Sequence, residues 1–353
     1  MYPKLTVNLD VLRNNVKVLN TLLRDNGIDH FAGVTKVFCG NPKIAQAYLD
    51  GGVNYLADSR IQNLKRMKDL DAPKILLRLP QISEVDEVVE YADISFNSEL
   101  LTLEALNQAA KDKGKKHNVV LMVDLGDLRE GFYKEEDFYE AVEKVLKMDS
   151  LYLKGIGVNL TCYGAVIPTK EILSRLDDYK NGVKEKFGFD LEIISGGNSS
   201  SVYLLGKEDL PFINNLRLGE VLILGTESAY GEVIEGTSKE TWILEAEIIE
   251  IKDKPSVPTG EIGRDAFGNE PTFVDRGIRT RALIALGKQD VANDSIYPVD
   301  QDIIVLGGSS DHTILDITDC KKEYKVGDKI SFLLDYVGVL MCSTSEYVTK
   351  EIK

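Results

Sequence analysis

Eight short apolar segments alternate with segments of helical periodicity within the first 235 of the 353 residues. The apolar segments are 31–38, 53–57, 74–79, 93–97, 118–125, 152–160, 191–195 and 214–217. Apolar runs of this length are typical of strands buried in a parallel sheet. Strands separated by helical patterns predict parallel βαβ units, and eight such units that close on themselves form a TIM barrel.

The pattern changes near Ser238. The segments 241–251, 280–286, 302–306, 312–317 and 329–334 alternate in part and have little helical periodicity between them. Short strands without intervening helices predict a separate all-β domain. The predicted fold is therefore an α/β protein with a TIM (β/α)8 barrel over residues 1–235, followed by a C-terminal all-β domain over residues 236–353.

Charge and cysteine content exclude several classes of function. The formal net charge of −15 argues against binding to nucleic acid or to an anionic membrane, because both need a basic surface. No apolar run is long enough to span a bilayer, and the N-terminal segment lacks the apolar core of an export signal. Four widely separated cysteines and three histidines predict reduced thiols, a cytoplasmic location and no metal centre.

A lysine follows the first predicted strand, in the segment 31–38 of sequence FAGVTKVF. Active sites of TIM barrels are assembled at the carboxyl ends of the strands, where Lys36 is expected. A lysine is seldom fully buried without a partner, so the alternative is a side chain that extends from the strand end into solvent. Its place in the barrel pattern makes Lys36 a candidate catalytic residue.

The segment after the seventh predicted strand has the composition of an anion site. In residues 195–201, of sequence SGGNSSS, glycines allow close approach to the backbone, and the serines and the start of a helix supply donors. The loops after strands seven and eight are a frequent phosphate site in barrels, and Gly219 follows the eighth strand. A helix-capping turn is the alternative, because Asn and Ser are common caps.

A phosphate site beside a lysine predicts pyridoxal 5'-phosphate (PLP). Lysine amines condense with aldehydes, and PLP stabilises negative charge at the α-carbon of an amino acid. An arginine such as Arg217 opposite the pyridine nitrogen would donate a hydrogen bond without transferring a proton, because a guanidinium is effectively always protonated. The alternative for Arg217 is a structural salt bridge.

These segments resemble the alanine-racemase-like PLP enzymes, also called fold type III, over nearly the whole chain. Residues 32–36 (AGVTK) are similar to the family strand that ends on the PLP lysine, and residues 123–131 (VDLGDLREG) to its VDxGxxRxG segment. Further similar segments are 155–159 (GIGVN), 197–199 (GNS), 216–220 (LRLGE) and 308–311 (GSSD).

The resemblance implies a role for each matching residue. Lys36 would bind PLP covalently and exchange the α-proton, and Arg129 would contact the phenolic oxygen of PLP or the substrate carboxylate. Ser309 and Ser310 would bind the substrate carboxylate from the partner subunit of a homodimer, whose β domain would cover the barrel mouth. The other cofactor-binding residues would be Asn159 near the ring, Arg217 at the pyridine nitrogen, and Asn198, Ser199, Ser200, Gly219, Glu220 and Tyr347 at the phosphate.

Two positions depart from the family pattern. The second catalytic base of the family is a tyrosine in a GYG-like turn, whereas the corresponding segment 263–268 (GRDAFG) contains Phe267, which cannot accept a proton. Met122 lies where alanine racemases carry a lysine. The candidates for the second base are Asp265, Asp311, His312 and Cys342, of which Asp311 is taken as the predicted catalytic residue.

The segments 216–220 and 308–312 resemble the ornithine racemase branch of the family. The predicted function is racemisation of ornithine or a similar basic amino acid, whose distal ammonium would be favoured by acidic residues such as Glu220, Asp127 or Asp311. The alternatives are a basic amino-acid decarboxylase of the same fold, a non-catalytic PLP-binding protein, and a barrel without PLP. A decarboxylase would need a cysteine segment that has no clear match, and the small PLP carriers lack a β domain.

Overall fold

A computed structural model describes residues 1–265 and 267–353. In chain order the strands are β1 (Lys4–Val7), β2 (His30–Val34), β3 (Tyr55–Asp58), β4 (Lys74–Leu76), β5 (Ile94–Asn97), β6 (His117–Val123), β7 (Leu151–Val158), β8 (Ile193–Ser195), β9 (Asn215–Leu218), β10 (Trp242–Pro255), β11 (Ile278–Ile284), β12 (Ile296–Pro298), β13 (Ile304–Gly308), β14 (Thr313–Asp316), β15 (Lys329–Leu334) and β16 (Thr349–Ile352). The α-helices are α1 (Leu9–Asp25), α2 (Pro42–Gly51), α3 (Ile61–Arg66), α4 (Val85–Tyr91), α5 (Leu100–Asp112), α6 (Glu135–Leu146), α7 (Lys170–Phe187), α8 (Glu220–Leu224) and α9 (Tyr336–Thr344).

Strands β2 to β9 pair in chain order and close into a parallel barrel, which confirms the predicted fold class. The barrel closes between β2 and β9, where Ala32 lies opposite Arg217. An apolar cluster is formed by side chains of six barrel strands: Ala32, Val34, Ala57, Ile75, Ile94, Phe96, Val120, Met122 and Ile193. Such a packed interior closes the barrel core, so chemistry is restricted to the strand ends.

The first barrel strand is shorter than the sequence predicts. β2 ends at Val34, and Thr35 leaves the extended region with φ −100° and ψ −3°. Lys36 then begins a short 3₁₀ helix, Lys36–Phe38. The lysine therefore lies two residues beyond the strand, still at its carboxyl end.

The helices follow from apolar spacing and caps. Leu12, Val16, Leu19 and Leu23 are buried along one face of α1, at the three- and four-residue spacing of a helix. Asn41 caps α2 by accepting a hydrogen bond from the Lys43 amide at 3.0 Å. Local sequence thus specifies which face of α1 is buried and where α2 begins.

The second compact unit consists of Met1–Asn8 and Lys239–Lys353, and the barrel unit of Leu9–Ser238. The sequence predicts a boundary at residue 235, with residues 1–8 in the barrel domain. In the structure these residues belong to the sheet unit, because β1 pairs antiparallel with β10 and parallel with β16. The other sheet neighbours follow the order β12-β15-β10-β11-β14-β13. The predicted all-β domain also contains α9, whose first turn is capped by Asp335.

A buried polar group lies at the start of β6, outside the barrel interior cluster. The Nε2 atom of His117 lies 2.8 Å from Ser95 Oγ, which also accepts a hydrogen bond from Asn97 Nδ2 at 3.0 Å. A neutral His117 fits this contact, because a hydroxyl can donate to an unprotonated Nε2 or accept from a protonated one. Burial lowers the pKa of His117 to about 4, because a charged imidazolium would lose its hydration.

We expect His117 to make the protein less stable in mild acid. Between pH 6.5 and pH 4 the unfolded chain binds more protons at this residue than the folded chain, so the free energy of unfolding rises with pH in this window. The loss between pH 7.5 and pH 5 is about 2 kcal/mol from this group. Urea unfolding at both pH values should show a smaller pH-dependent loss for His117→Gln than for the wild type. Equal losses in the two proteins would contradict the assignment.

Candidate functional site

The candidate residues of the barrel unit lie at the carboxyl ends of its strands. Asn159 follows β7 directly, Gly219 follows β9 directly, and Asn198 lies three residues beyond β8. Arg129 lies in the loop after β6, and Lys36 lies beyond β2. The structure therefore brings these five positions to one end of the barrel. Ser309, Ser310, Asp311 and Tyr347 belong to the other unit.

Backbone strain is concentrated at the same end of the barrel. Among the described residues, four non-glycine residues have a positive φ: Cys39 at 55°, Leu128 at 56°, Thr161 at 58° and Ala165 at 53°. They lie in the loops after β2, β6 and β7. Non-glycine residues avoid this region, and such conformations cluster at functional sites.

A buried carboxylate supports the backbone before Lys36. Asp58, at the end of β3, accepts a hydrogen bond from Thr35 Oγ1 at 2.6 Å and from the Arg60 amide at 2.9 Å. Asn63 Nδ2 donates a third hydrogen bond at 3.0 Å. Burial raises the pKa of the Asp58 carboxyl, although these hydrogen bonds oppose the shift. Sequence reasoning did not find this link, because Thr35 and Asp58 are 23 residues apart.

Arg217 lies inside the barrel and is 5% exposed. It donates hydrogen bonds to Ser195 Oγ at 2.7 Å and to the Val158 carbonyl at 2.8 Å. Its guanidinium also lies 5.1 Å from the centre of the Phe96 ring. Within the described residues, no carboxylate lies within 4 Å of Arg217, so the structural salt bridge considered from the sequence is not found. Burial lowers the pKa of Arg217 to about 10.

Two buried polar atoms in the segments after β7 and β8 add to a site that suits a ligand. The Nδ2 atom of Asn159 and the hydroxyl of Ser200 are buried and have no hydrogen-bond partner among the described residues. Asn159 Oδ1 lies 3.4 Å from Arg217 Nη2. A buried polar atom without a hydrogen bond lowers the stability of a protein, and a buried cation without an opposite charge lowers it further. A ligand with a negative charge and hydrogen-bond acceptors fits this set, and the phosphate and ring nitrogen of PLP have those properties.

The predicted phosphate segment is also a capping turn. Asn198 Oδ1 accepts a hydrogen bond from the Ser200 amide at 2.8 Å and so caps the 3₁₀ helix Ser199–Leu204. Ser199 Oγ accepts hydrogen bonds from the amides of Gly219 and Val221, each at 3.3 Å. The structure thus joins the segments after β8 and β9. Glu220 begins α8 and is half-buried.

Arg129 already has a carboxylate partner in the structure. Its Nη2 donates to Glu130 Oε1 at 2.6 Å, and its Nε donates to Glu130 Oε2. The side chain of Arg129 is 44% exposed and that of Glu130 is 16% exposed. Glu130 is a residue that the sequence analysis did not single out. Asp127, considered for a distal ammonium, is 1% exposed and accepts hydrogen bonds from a neighbouring loop, so that suggestion is wrong.

The other unit holds the predicted substrate residues in one turn between β13 and β14. Asp311 Oδ1 accepts hydrogen bonds from Ser309 Oγ at 3.0 Å and Ser310 Oγ at 3.3 Å, and lies 3.0 Å from His312 Nδ1. The hydrogen bonds from His312 and Ser309 lower the pKa of Asp311, which makes it a weak base. Tyr347 is 68% exposed.

The remaining candidates for a second base differ in accessibility. Cys342 is fully buried, and burial raises the pKa of its thiol to about 12, so it is not a base of an accessible site. Asp265 is half-buried and accepts hydrogen bonds from Asn269, which lower its pKa. Phe267 packs its ring against Lys288, 4.1 Å from the ammonium nitrogen. Ala266, in the same predicted segment, lies outside the described residues.

Among the described residues, no helix combines the length and the apolar character needed to cross a membrane. Comparison with known structures finds the same fold in alanine racemase from Clostridium difficile 630, with a TM-score of 0.75 and 20% identity over 99% of this chain and 95% of that one. A Bartonella henselae alanine racemase with covalently bound pyridoxal phosphate gives a TM-score of 0.73 at 18% identity over 99% of both chains. These structures share the fold of the chain.

Curated relatives are closer in sequence. The chain is 50% identical to an ornithine racemase from Acetoanaerobium sticklandii over the whole of both chains. It is 40% identical to a lysine racemase from Thermotoga maritima over 99% of this chain and 98% of that one. A family model, the N-terminal domain of alanine racemase, matches residues 7–227. The chain therefore belongs to the alanine racemase N-terminal domain family, whose members depend on PLP.

Proposed function

We propose that the protein is a PLP-dependent racemase that interconverts L- and D-ornithine. The observation that carries the proposal is the 50% identity to an ornithine racemase along the full length of both chains. The 40% identity to a lysine racemase supports the same substrate class, because lysine and ornithine both end in an ammonium group. The buried guanidinium of Arg217, which has no carboxylate partner among the described residues, supports PLP as the ligand of the barrel site.

The residues proposed to hold PLP are those that the strand ends bring together. Lys36 is proposed to bind it covalently, and Asn159 and Arg217 to contact its ring. Tyr347, in the sheet unit, remains a proposed phosphate residue. The proposed phosphate-binding residues of the barrel are Asn198, Ser199, Ser200, Gly219 and Glu220. When bound, PLP delocalises the negative charge that develops at the α-carbon of an amino acid.

The chain's own groups would then handle the protons. Lys36 Nζ is proposed to remove or deliver the α-proton on one face, while a second group does so on the opposite face. The position of Lys36 is proposed to be fixed through Thr35 and Asp58. Arg217 only donates, so it would orient the ring nitrogen without giving up a proton. Arg129, oriented by Glu130, is proposed to bind the substrate carboxylate, together with Ser309 and Ser310. Asp311, Asp265 and His312 remain hypotheses for the base on the opposite face.

We further infer that the chain works as a homodimer in the cytoplasm. The proposed substrate residues are divided between the two units, and the barrel loops expose large apolar side chains that a partner would cover: Leu128, Tyr133 and Tyr163. The four cysteines are free thiols, as expected in a reducing compartment. Sedimentation analysis that finds an active monomer would contradict the dimer.

The proposed function is tested by chiral chromatography. The PLP-loaded protein is incubated separately with L-ornithine, D-ornithine, L-lysine and L-alanine. We expect either ornithine enantiomer to give a mixture of both, with lysine slower and alanine much slower. In D₂O the product should carry deuterium at the α-carbon, because racemisation exchanges this proton with solvent.

The same assay separates the alternatives. Putrescine formed from L-ornithine would identify a decarboxylase. PLP binding without α-proton exchange for any of these amino acids would identify a non-catalytic PLP-binding protein. Either result would contradict the proposal.

A further inference from the structure

The carboxylate of Asp127 is buried at the mouth of the barrel and is fully engaged by backbone amides of the loop after β7. Its oxygens accept hydrogen bonds from Tyr163 N at 2.9 Å, Cys162 N at 3.2 Å and Val166 N at 3.2 Å. The Gly164 amide adds a hydrogen bond to the Asp127 carbonyl at 3.1 Å. One residue thus holds most of this loop, which we call the β7 loop (161–166).

The β7 loop needs this support because its backbone is strained. Thr161 and Ala165 have φ of 58° and 53°, a region that side chains with a Cβ avoid and that a β-branched residue rarely adopts. The loop also approaches the β6 loop closely, since a Cβ on Gly164 would lie 2.8 Å from the Asp127 carbonyl oxygen. Hydrogen bonds to a charged carboxylate are stronger than neutral ones and can hold such a conformation.

The other side of the β7 loop contacts the residues proposed to hold PLP. Asn198 Nδ2 donates a hydrogen bond to the Leu160 carbonyl at 2.8 Å and to Asn159 Oδ1 at 3.2 Å, and lies 3.6 Å from Cys162 Sγ. Asn159 in turn contacts Arg217. A continuous set of contacts therefore runs from Asp127, two residues before Arg129, to the ring and phosphate residues.

We propose that Asp127 is a positioning residue of the PLP site. Its carboxylate fixes the β7 loop, and through that loop it sets the positions of Asn159 and Asn198. It does not bind the distal ammonium of the substrate, because both oxygens are buried and occupied. The identity of the ligand in this inference rests on the proposed function.

Glu227 offers a matched control elsewhere in the barrel unit. It is also 1% exposed and accepts hydrogen bonds from three backbone amides, those of Ala229 at 2.7 Å, Tyr230 at 2.9 Å and Glu232 at 2.9 Å. Asp127→Asn and Glu227→Gln each remove one charge and replace one acceptor oxygen with an amide that repels the facing N–H groups. Both variants should lose thermal stability, so stability alone does not distinguish them.

The test compares PLP affinity and loop protection in the full-length protein after PLP is removed. We expect Asp127→Asn to bind PLP about tenfold more weakly in a fluorescence titration. We also expect faster hydrogen exchange in peptides covering residues 159–168. Glu227→Gln should keep wild-type values for both. Wild-type affinity and protection in Asp127→Asn, or equal losses in the two variants, would overturn the proposal.

A second pair of variants keeps the inference testable if Asp127→Asn does not fold. Ala165→Gly removes the cost of the positive φ and should allow the double variant with Asp127→Asn to fold. That double variant should bind PLP more weakly than Ala165→Gly alone, and equal affinity overturns the proposal. The rate of hydrogen exchange in the β7 loop of the PLP-free protein tests the role of Asp127 independently of any amino-acid substrate. A wild type that binds PLP but leaves ornithine unchanged would contradict the proposed function and not this inference.

Discussion

Lys36→Arg is expected to abolish ornithine racemisation, with a loss of at least about 10³-fold in kcat/KM. A guanidinium stays protonated at any working pH, so it neither condenses with an aldehyde nor accepts an α-proton. The substitution keeps the positive charge and most of the side-chain volume at the end of the barrel. The loss should therefore reflect the missing amine chemistry, and the midpoint of thermal unfolding of the PLP-free protein should stay close to that of the wild type.

The covalent link gives a readout that does not depend on turnover. Borohydride reduction of the PLP-loaded wild type, followed by peptide mapping, should label the peptide that contains Lys36, and Lys36→Arg should remain unlabelled. Lys43→Arg is the matched control, because Lys43 is an exposed lysine only seven positions further along the chain, in α2. It should keep both label and activity. A label on another lysine in the wild type would show that the barrel site is assigned to the wrong residue.

The barrel could be predicted from sequence because each of its units is specified locally. A short apolar strand and an amphipathic helix such as α1 each show in a window of a few residues, and eight repeats limit the topology to a closed barrel. β1 could not be placed in this way. Its four residues alternate between half-buried and buried, but its partners β10 and β16 are more than 200 residues away. α9 was missed because its nine residues are apolar on nearly all sides and show little helical periodicity.

The sequence predicts which strand ends carry the site, but it does not predict the contacts within the site. The barrel rule places Lys36, Asn159 and Gly219 together, because parallel strands end at one edge. The contacts that hold these residues join distant segments, as between Thr35 and Asp58 or between Asp127 and the β7 loop. A chain with 57 acidic residues gives no local indication of which arginine lacks a carboxylate. That absence at Arg217 emerges only from the packing.

Arg217 is expected to contribute to function at the expense of stability. A buried charge without an opposite charge loses several kcal/mol of hydration that its hydrogen bonds recover only in part. Replacing the side chain with methionine would remove that charge and keep contact with the apolar ring of Phe96. It would also leave the Val158 carbonyl and one lone pair of Ser195 Oγ without a donor, a cost of about 1–3 kcal/mol for a fully orphaned group. Ser195 still donates to Asn215 Oδ1, so its loss is smaller.

Arg217→Met should therefore lower racemase activity by at least about 10²-fold while the stability of the PLP-free protein stays equal to or above that of the wild type. The activity loss follows from removing the only donor proposed for the ring nitrogen. Chiral product analysis measures the first quantity, and urea unfolding of the PLP-free protein measures the second. PLP should bind more weakly to the variant, which a titration would detect separately.

Arg279 is a matched control for the predicted stability of Arg217→Met, because it is an arginine that does have carboxylate partners. It donates to Asp316 at 2.8 Å and also pairs with Asp319, and the side chain of Asp316 is 2% exposed. Arg279→Met would leave a buried carboxylate without its cation, so it should shift the unfolding midpoint to a lower urea concentration. Arg217→Met leaves no carboxylate without a partner. If Arg217→Met destabilises the protein as strongly as Arg279→Met, the guanidinium is a structural element of the barrel. Its missing carboxylate would then no longer indicate a ligand site.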